Sequence, residues 1–357
     1  MDPIISDITT QVVAVPLKRP FVTSLRTVKT AETVIVKIKD STGKVGFGEA
    51  APNVVVSGDS TESILSAINK TIAPKIIGKS LSNMEAINYL VDTSMVHNTS
   101  PKAGVNIALN DLICQHYQVP MYKILGGNSD QIVTDYTVSV GTTPDMINQA
   151  KDLVSKGFTT LKIKVGSESE QKDVAKIAKI RKAIGPKVKI RLDANQGWHA
   201  KQAISAINHM ADLNLDIELV EQPVLAKDFI GMAEVTKNTS TLIMADESIF
   251  STEDAIRLIN LGGCDIINIK LMKTGGISNA TKLNTIAEAF GIPCMVGSMI
   301  ESSVAVTAAA SFAAAKRNVK YVDLDASMMF SSNPVSGGLI NQKNIIKLPN
   351  VSGLGLG

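Results

Sequence analysis

The chain has 357 residues, long enough for a large core and for more than one domain. Apolar residues make up 45% and charged residues 19%, which suits a folded globular protein and excludes a disordered one. The 36 basic and 33 acidic residues leave a net charge of +3 with no dense basic run, so no nucleic-acid partner is expected. MDPIISDITT has no basic segment followed by an apolar one, so no signal peptide is expected. No apolar stretch approaches the roughly 20 residues of a membrane span. Cys114, Cys264 and Cys294 are widely spaced without a CxxC pair, which fits a reducing cytoplasm and excludes a cysteine zinc site.

Residues 1–127 carry a mixed pattern. ETVIVKIKD and GKVGFGEA alternate as an antiparallel meander joined by a DSTG turn. SPKAGVNIALNDLICQHY then reads as a helix, with Ser100 placed to cap its start. Strands followed by helices predict an α+β domain.

From about residue 130 the texture becomes a repeat. VTDYTVSV, TTLKIKV, VKIRLDA, DIELVEQ, TLIMADE, DIINIKL, IPCMVGS and VKYVDLD alternate with amphipathic stretches such as TPDMINQAKDLVSKG and STEDAIRLINLGG. Strand–helix alternation implies parallel βαβ units, and eight of them predict a (β/α)8 barrel over residues 128–325. An open doubly wound sheet is disfavoured because no G-x-G-x-x-G loop follows the first run. The fold class is α/β: a TIM-like barrel with an α+β capping domain built from the N-terminal segment and the tail. Residues 326–357 are expected to pack back on that capping domain.

Within TTLKIKV, Lys162 and Lys164 stand at i and i+2 and share a strand face, while Leu161, Ile163 and Val165 share the other. The polar residues at the C-terminal ends of the eight runs are Thr137, Lys164, Asp193, Glu221, Asp246, Lys270, Ser298 and Asp323. They are spaced 24 to 29 residues apart, one βα unit each time. Any one aspartate reads equally well as a helix cap. A whole ring of such residues at the barrel's C-terminal end reads as a site, because strand ends converge there. Asp193, Glu221 and Asp246 on three successive strands would repel one another without a cation, and an oxygen-only set points to Mg²⁺. His97, His116, His199 and His209 read as ordinary surface or core residues. Lys164 and Lys270, ending strands across the barrel from each other, are expected to have lowered pKa values beside a divalent ion. They would then serve as bases on opposite faces of one carbon.

LKIKVG, RLDANQGW, VEQP, ADES and NIKLMKTGG, with GFGEAAP, ALNDL and LGG before them, resemble the enolase superfamily in its muconate-lactonizing subgroup. The resemblance covers nearly the whole chain and implies one Mg²⁺ per subunit on Asp193, Glu221 and Asp246. It implies Lys164 and Lys270 as the two acid/base catalysts, with Lys162 against a substrate carboxylate. Asn195 and Glu247 would support the metal ligands, ordinary loop roles being the alternative. Asp323 and Asp325 in YVDLDASMM resemble the DxD of dipeptide epimerases, where a carboxylate pair suits a substrate ammonium. These aspartates are expected to stand apart from the metal carboxylates around the ring; the alternative is that one caps the next helix. Arg26, in the loop TSLRTVKT, resembles the arginine of epimerases that take a glutamate second residue. Together with NVVVSGD it is expected to close over the mouth, and Thr137 and Ser298 are expected to touch substrate. An Ala-Glu dipeptide implies handling of peptidoglycan fragments in the cytoplasm.

The subgroup also contains N-acylamino acid racemases and o-succinylbenzoate synthases, and epimerases for other dipeptides; the two bases do not choose among them. Outside it stand a Schiff-base aldolase using Lys164 or Lys270 as nucleophile, and a binding protein without catalysis. The expected partner is a small dipeptide, with no membrane and the oligomeric state open, a homo-oligomer included.

Overall fold

The computed structural model describes residues 2–23 and 26–357. Two long strands, β1 (Ile5–Val22) and β2 (Thr27–Asp40), pair antiparallel, and β3 (Val45–Ala50) joins the other edge of β2. Between β2 and β3 the backbone reverses because Asp40 Oδ1 accepts from Thr42 N at 2.8 Å and Lys44 N at 3.0 Å, an aspartate-nucleated turn. Val34, Val36 and Ile38 on one face of β2 are buried against the helix Thr99–Tyr117. That helix comes so close that a Cβ at Gly48 would lie 2.0 Å from Gly104 O, which only glycine permits.

Ser100 does not cap this helix. Asn98, in the left-handed region, occupies the cap position, and Ser100 lies in the first turn. Its N–H donates to Asp59 Oδ2 at 3.2 Å and its hydroxyl to Ala51 O at 2.7 Å. A carboxylate remote in sequence thus meets the orphan donor that a local cap would have met.

The second body is a parallel eight-stranded sheet: β5 (Tyr136–Val138), β6 (Thr160–Lys164), β7 (Lys189–Asp193), β8 (Ile217–Glu221), β9 (Leu242–Ala245), β10 (Ile266–Lys270), β11 (Cys294–Gly297) and β12 (Val319–Asp323), paired in that order. Each lies within one of the eight runs. The seam between β12 and β5 is laced by three bonds: Asp135 N to Val322 O (3.3 Å), Leu324 N to Thr134 Oγ1 (2.9 Å) and Thr137 N to Asp325 Oδ2 (2.6 Å). Leu219, Met244 and Tyr321 stand two residues below Glu221, Asp246 and Asp323 and join one apolar layer inside the sheet. The period of two therefore stacks packing beneath chemistry.

A short sheet of β4 (Gln131–Val133), β13 (Ile340–Gln342) and β14 (Ile345–Lys347) draws the tail to the start of the barrel segment. The tail then meets the capping helix and the segment after it: Leu354 N donates to Asp111 Oδ1 at 2.6 Å, and Met121 N to Gly353 O at 3.0 Å. Buried Glu49 of β3 fastens the two bodies. It accepts from Thr33 Oγ1 (2.7 Å) in the cap, and from Ser302 N (2.8 Å), Ser302 Oγ (2.6 Å) and Ala305 N (2.9 Å) at the start of the barrel helix Ser303–Ala315.

Candidate active site

All five residues of β6 are buried, so its lysines point into the barrel rather than out to bulk solvent. Lys162 Nζ, one layer below the mouth, lies 2.6 Å from Glu221 Oε2, 2.7 Å from Asp323 Oδ2 and 3.0 Å from Asp193 Oδ2. Lys164 Nζ, at the mouth, donates to Asp193 Oδ2 at 2.6 Å and Asn195 Oδ1 at 2.9 Å. Across the barrel Lys270 Nζ donates to Asp246 Oδ2 at 2.6 Å. Asp323 does not stand apart from the carboxylates of β7 and β8: it shares one ammonium with both, because the interior is narrow enough for a lysine to span.

Among the described residues, no group of three or more His, Cys, Asp or Glu side chains is arranged to hold a metal. Asp193, Glu221 and Asp246 each turn toward lysines, the nearest counterions the chain supplies. The donor set nevertheless fits a hard cation. Glu221 Oε2, Asp246 Oδ1 and the neighbouring Glu247 Oε2 are buried oxygens without a directed hydrogen bond, though the first two have lysine ammoniums at 2.6 Å.

These contacts set the charges. Burial pushes Glu221 above the usual carboxylate range and the charge of Asp193 adds to the push. Burial opposes ionisation of Asp246 too, but Lys270 and Lys273 outweigh it and hold that carboxyl low. The expected fall in the pKa of Lys270 does not follow from the chain's own groups. Burial alone would lower it, but Asp246 and Glu221 more than compensate and raise it above the ordinary lysine value.

The mouth is a cleft with about 620 Å³ of space outside the protein atoms, its solvent opening included. Lys164 and Lys270 line it from strands on opposite sides of the barrel, with Lys162, Asn195 and Glu247, and Thr137, Ser298, Asp323 and Asp325 complete the ring. Asn195 Nδ2 donates to Glu247 Oε1 at 3.2 Å, joining the two groups. Asp325 lies past the end of β12 at the cap position of the helix Ala326–Met329, but its side chain makes no capping bond and takes Thr137 N instead. Above the cleft the cap contributes Phe21, Thr23, Arg26, Asn53, Val55 and Val56. Of the loop TSLRTVKT, Ser24 and Leu25 lie outside the described residues. Arg26 is half-buried and, among the described residues, forms no ion pair. The four histidines are elsewhere: His116, for example, pairs with Asp40 in the cap.

Sequence reasoning passed over several buried polar groups. Lys273, fully buried, lies 2.6 Å from Asp246 Oδ1 and donates to Asn268 O at 3.0 Å. Asn268 Nδ2 donates to Glu221 Oε1 at 2.9 Å. Arg191 donates to Asp135 Oδ2 at 2.7 Å and Glu218 Oε2 at 2.6 Å. A signal existed for two of them. Asn268 and Arg191 stand two residues before Lys270 and Asp193, the same spacing that pairs Lys162 with Lys164.

Two family descriptions match the chain: "Mandelate racemase / muconate lactonizing enzyme, N-terminal domain" over residues 7–126 and "Enolase C-terminal domain-like" over residues 145–357. The chain belongs to the mandelate racemase/muconate lactonizing enzyme family of the enolase superfamily. It is 49% identical to the L-Ala-D/L-Glu epimerase of Bacillus subtilis over 98% of this chain and 95% of that protein. A substrate-liganded structure of the Bacillus subtilis epimerase superposes with a TM-score of 0.98 at 49% identity, covering 99% of this chain and 98% of the other. The Enterococcus faecalis dipeptide epimerase complexed with Mg and L-Leu-L-Tyr gives a TM-score of 0.95 at 40% identity, covering 100% of this chain and 99% of that one. Relatives of this family fold are thus known with metal and dipeptide together, as the resemblance implied.

Proposed function

We propose that the chain is a dipeptide epimerase that interconverts L-Ala-D-Glu and L-Ala-L-Glu by moving one proton at the carbon next to the carboxylate. The observation that carries the proton transfer is the pair of lysines, Lys164 on β6 and Lys270 on β10, each buried at one mouth and each tied to a carboxylate of an adjacent strand; Asp323 and Asp325 on the cleft wall and the identity to an L-Ala-D/L-Glu epimerase favour the dipeptide. One lysine removes the α-proton from its face and the other delivers a proton to the opposite face, which inverts the centre without net chemistry.

Asp193, Glu221 and Asp246 would hold one Mg²⁺, with Asn195 and Glu247 steadying the loops that carry them. When bound there, the ion supplies positive charge against the negative charge that develops on the substrate carboxylate. Lys162 adds charge from below. Asp323 and Asp325 receive the dipeptide ammonium, Thr137 and Ser298 line its path, and Arg26 pairs with the glutamate side chain in a fork geometry. Support for glutamate comes from the half-buried guanidinium above the cleft and from the identity to epimerases named for that substrate. Such a reaction belongs with turnover of peptidoglycan fragments in the cytoplasm.

The test is a dipeptide library incubated with the enzyme and Mg²⁺ in D₂O, read by mass and by chiral separation. L-Ala-L-Glu should gain one deuterium and yield its epimer. Preference for N-acyl amino acids, or formation of o-succinylbenzoate from its precursor, would replace the dipeptide reading with a sister reaction. A borohydride-trapped lysine adduct and activity indifferent to EDTA would replace it with an aldolase.

A further inference from the structure

Asp135 has no role in the scheme above, yet it is fully enclosed beside the site. Its Oδ2 accepts from Arg191 Nη1 at 2.7 Å, and its backbone N–H closes the barrel seam on Val322 O at 3.3 Å. Arg191 is shared. Its Nε donates to Glu218 Oε2 at 2.6 Å, so the guanidinium already has a carboxylate to balance it. Asp135 Oδ1 is buried with no hydrogen-bond donor among the described residues, and the Asp323 side chain is in hydrogen-bond contact with the Asp135 carboxyl. Asp325 adds a further acid nearby. The cations facing this group are Arg191 and Lys162, and Lys162 is divided among Asp193, Glu221 and Asp323.

Two buried carboxyls in hydrogen-bond contact cannot both be ionised without a donor between them; one must carry a proton. Asp323 has an ammonium at 2.7 Å, whereas the guanidinium on Asp135 is shared with Glu218. The proton therefore belongs on Asp135. We propose that Asp135 is a positioning residue, a neutral carboxyl that donates from Oδ1 to Asp323 and holds that carboxylate ionised and aimed into the cleft. The charges agree in direction: burial and then Asp323 push Asp135 well above the usual carboxylate range. In Asp323 burial is outweighed by Lys162, with help from the contact to Asp135, and its carboxyl falls to about 2. The part concerning substrate rests on the dipeptide reading above, in which Asp323 meets the ammonium.

Asp135→Ala removes the donor. It should lower kcat/KM for L-Ala-L-Glu about 10- to 100-fold, the range for a hydrogen bond to a charged group, chiefly through KM. Asp135→Asn keeps an N–H donor toward Asp323 and an acceptor toward Arg191, so it should recover most of that loss. An Asn variant as impaired as Ala would show that Asp135 is an ionised partner of Arg191 and overturn the proposal. The proton itself is read without substrate. At pH 7 the infrared difference between wild type and Asp135→Asn should contain the C=O band of a protonated carboxyl, shifted when aspartate carboxyls carry ¹³C. Absence of that band overturns the proposal even if Asp135→Ala fails to fold. A wild type that shows the band but epimerises no dipeptide keeps the shared proton and discards the substrate reading alone.

Discussion

Replacing Asp323 by asparagine separates a dipeptide epimerase from its sister reactions. In the fold Asp323 Oδ2 sits 2.7 Å from Lys162 Nζ in a buried setting. Lys162 keeps Asp193 and Glu221 after the change, at 3.0 and 2.6 Å, so the ammonium is not stranded and the barrel should stay folded. What disappears is the charge offered to the substrate ammonium. Losing one partner of a buried, hydrogen-bonded charge pair costs about 2–5 kcal/mol, or roughly 30- to several-thousand-fold in kcat/KM for L-Ala-L-Glu. Acetylating the dipeptide's amino group deletes the same charge from the other side and should cost the wild type about as much. The two changes should not add, since each removes one interaction. Lys162 would lean further onto Asp193 and Glu221, so Mg²⁺ affinity should fall too, but by far less than kcat/KM. The assay is steady-state epimerisation of free and N-acetylated dipeptide by both proteins, with Mg²⁺ titrated calorimetrically. Equal turnover of the acetylated dipeptide by wild type, or full additivity, refutes the reasoning.

Lys270→Ala should abolish epimerisation in both directions yet leave α-proton exchange with solvent for one stereoisomer, since Lys164 still reaches its own face. Deuterium exchange of both isomers by that variant would remove Lys270 from its role. Asp246→Asn leaves two charges in the proposed metal set and should weaken Mg²⁺ binding at least about tenfold by calorimetry, with exhaustive chelation stopping the wild type. Unchanged Mg²⁺ affinity would place the ion elsewhere. Buried Asp111, which accepts from Phe47 N and Leu354 N, is pushed up to about 6, chiefly by burial. A folded-state pKa above the ordinary carboxylate value means that the folded chain holds the extra proton. This group's contribution to stability is therefore full below about pH 4 and is lost as the pH rises through about 6. Its size is a few kcal/mol at most. Thermal melts of wild type and Asp111→Asn from pH 4 to 7.5 should show that component in the wild type only.

The fold was legible because its two periods are strong. The alternation of short β-branched runs with amphipathic helices marks eight strands, and every observed barrel strand falls inside one of them. The ring of polar residues at strand ends was legible for the same reason: a spacing of 24 to 29 residues repeats once per βα unit, so position in the repeat stands in for position in space. Three things escaped. The cap of the helix at Thr99–Tyr117 comes from Asp59, some 40 residues earlier, and no local pattern announces a donor's remote partner. The link from Lys162 to Asp323 joins the second strand to the eighth past the first, and depends on how the sheet closes there, which the sequence does not print. The rise in the pKa of Lys270 sets Asp246 and Glu221 against burial, and which side wins depends on how close the carboxylates stand, Asp246 at 2.6 Å.

These omissions share a cause. A strand-end residue can be placed from its own segment, whereas an ion pair between strands is a property of two segments and of the gap between them. The buried groups that were missed, Asp135, Arg191, Asn268 and Lys273, all act across such gaps and all touch a residue that the repeat had already singled out or its immediate neighbour in the network. The layer of alternating charges beneath the mouth therefore orients the residues proposed for chemistry. Buried carboxylates at this density persist only where each meets a cation, a donor or a proton. Glu218, which is half-buried, then Arg191, Asp135, Asp323 and Lys162 satisfy that demand in one sequence of contacts that runs inward to the cleft.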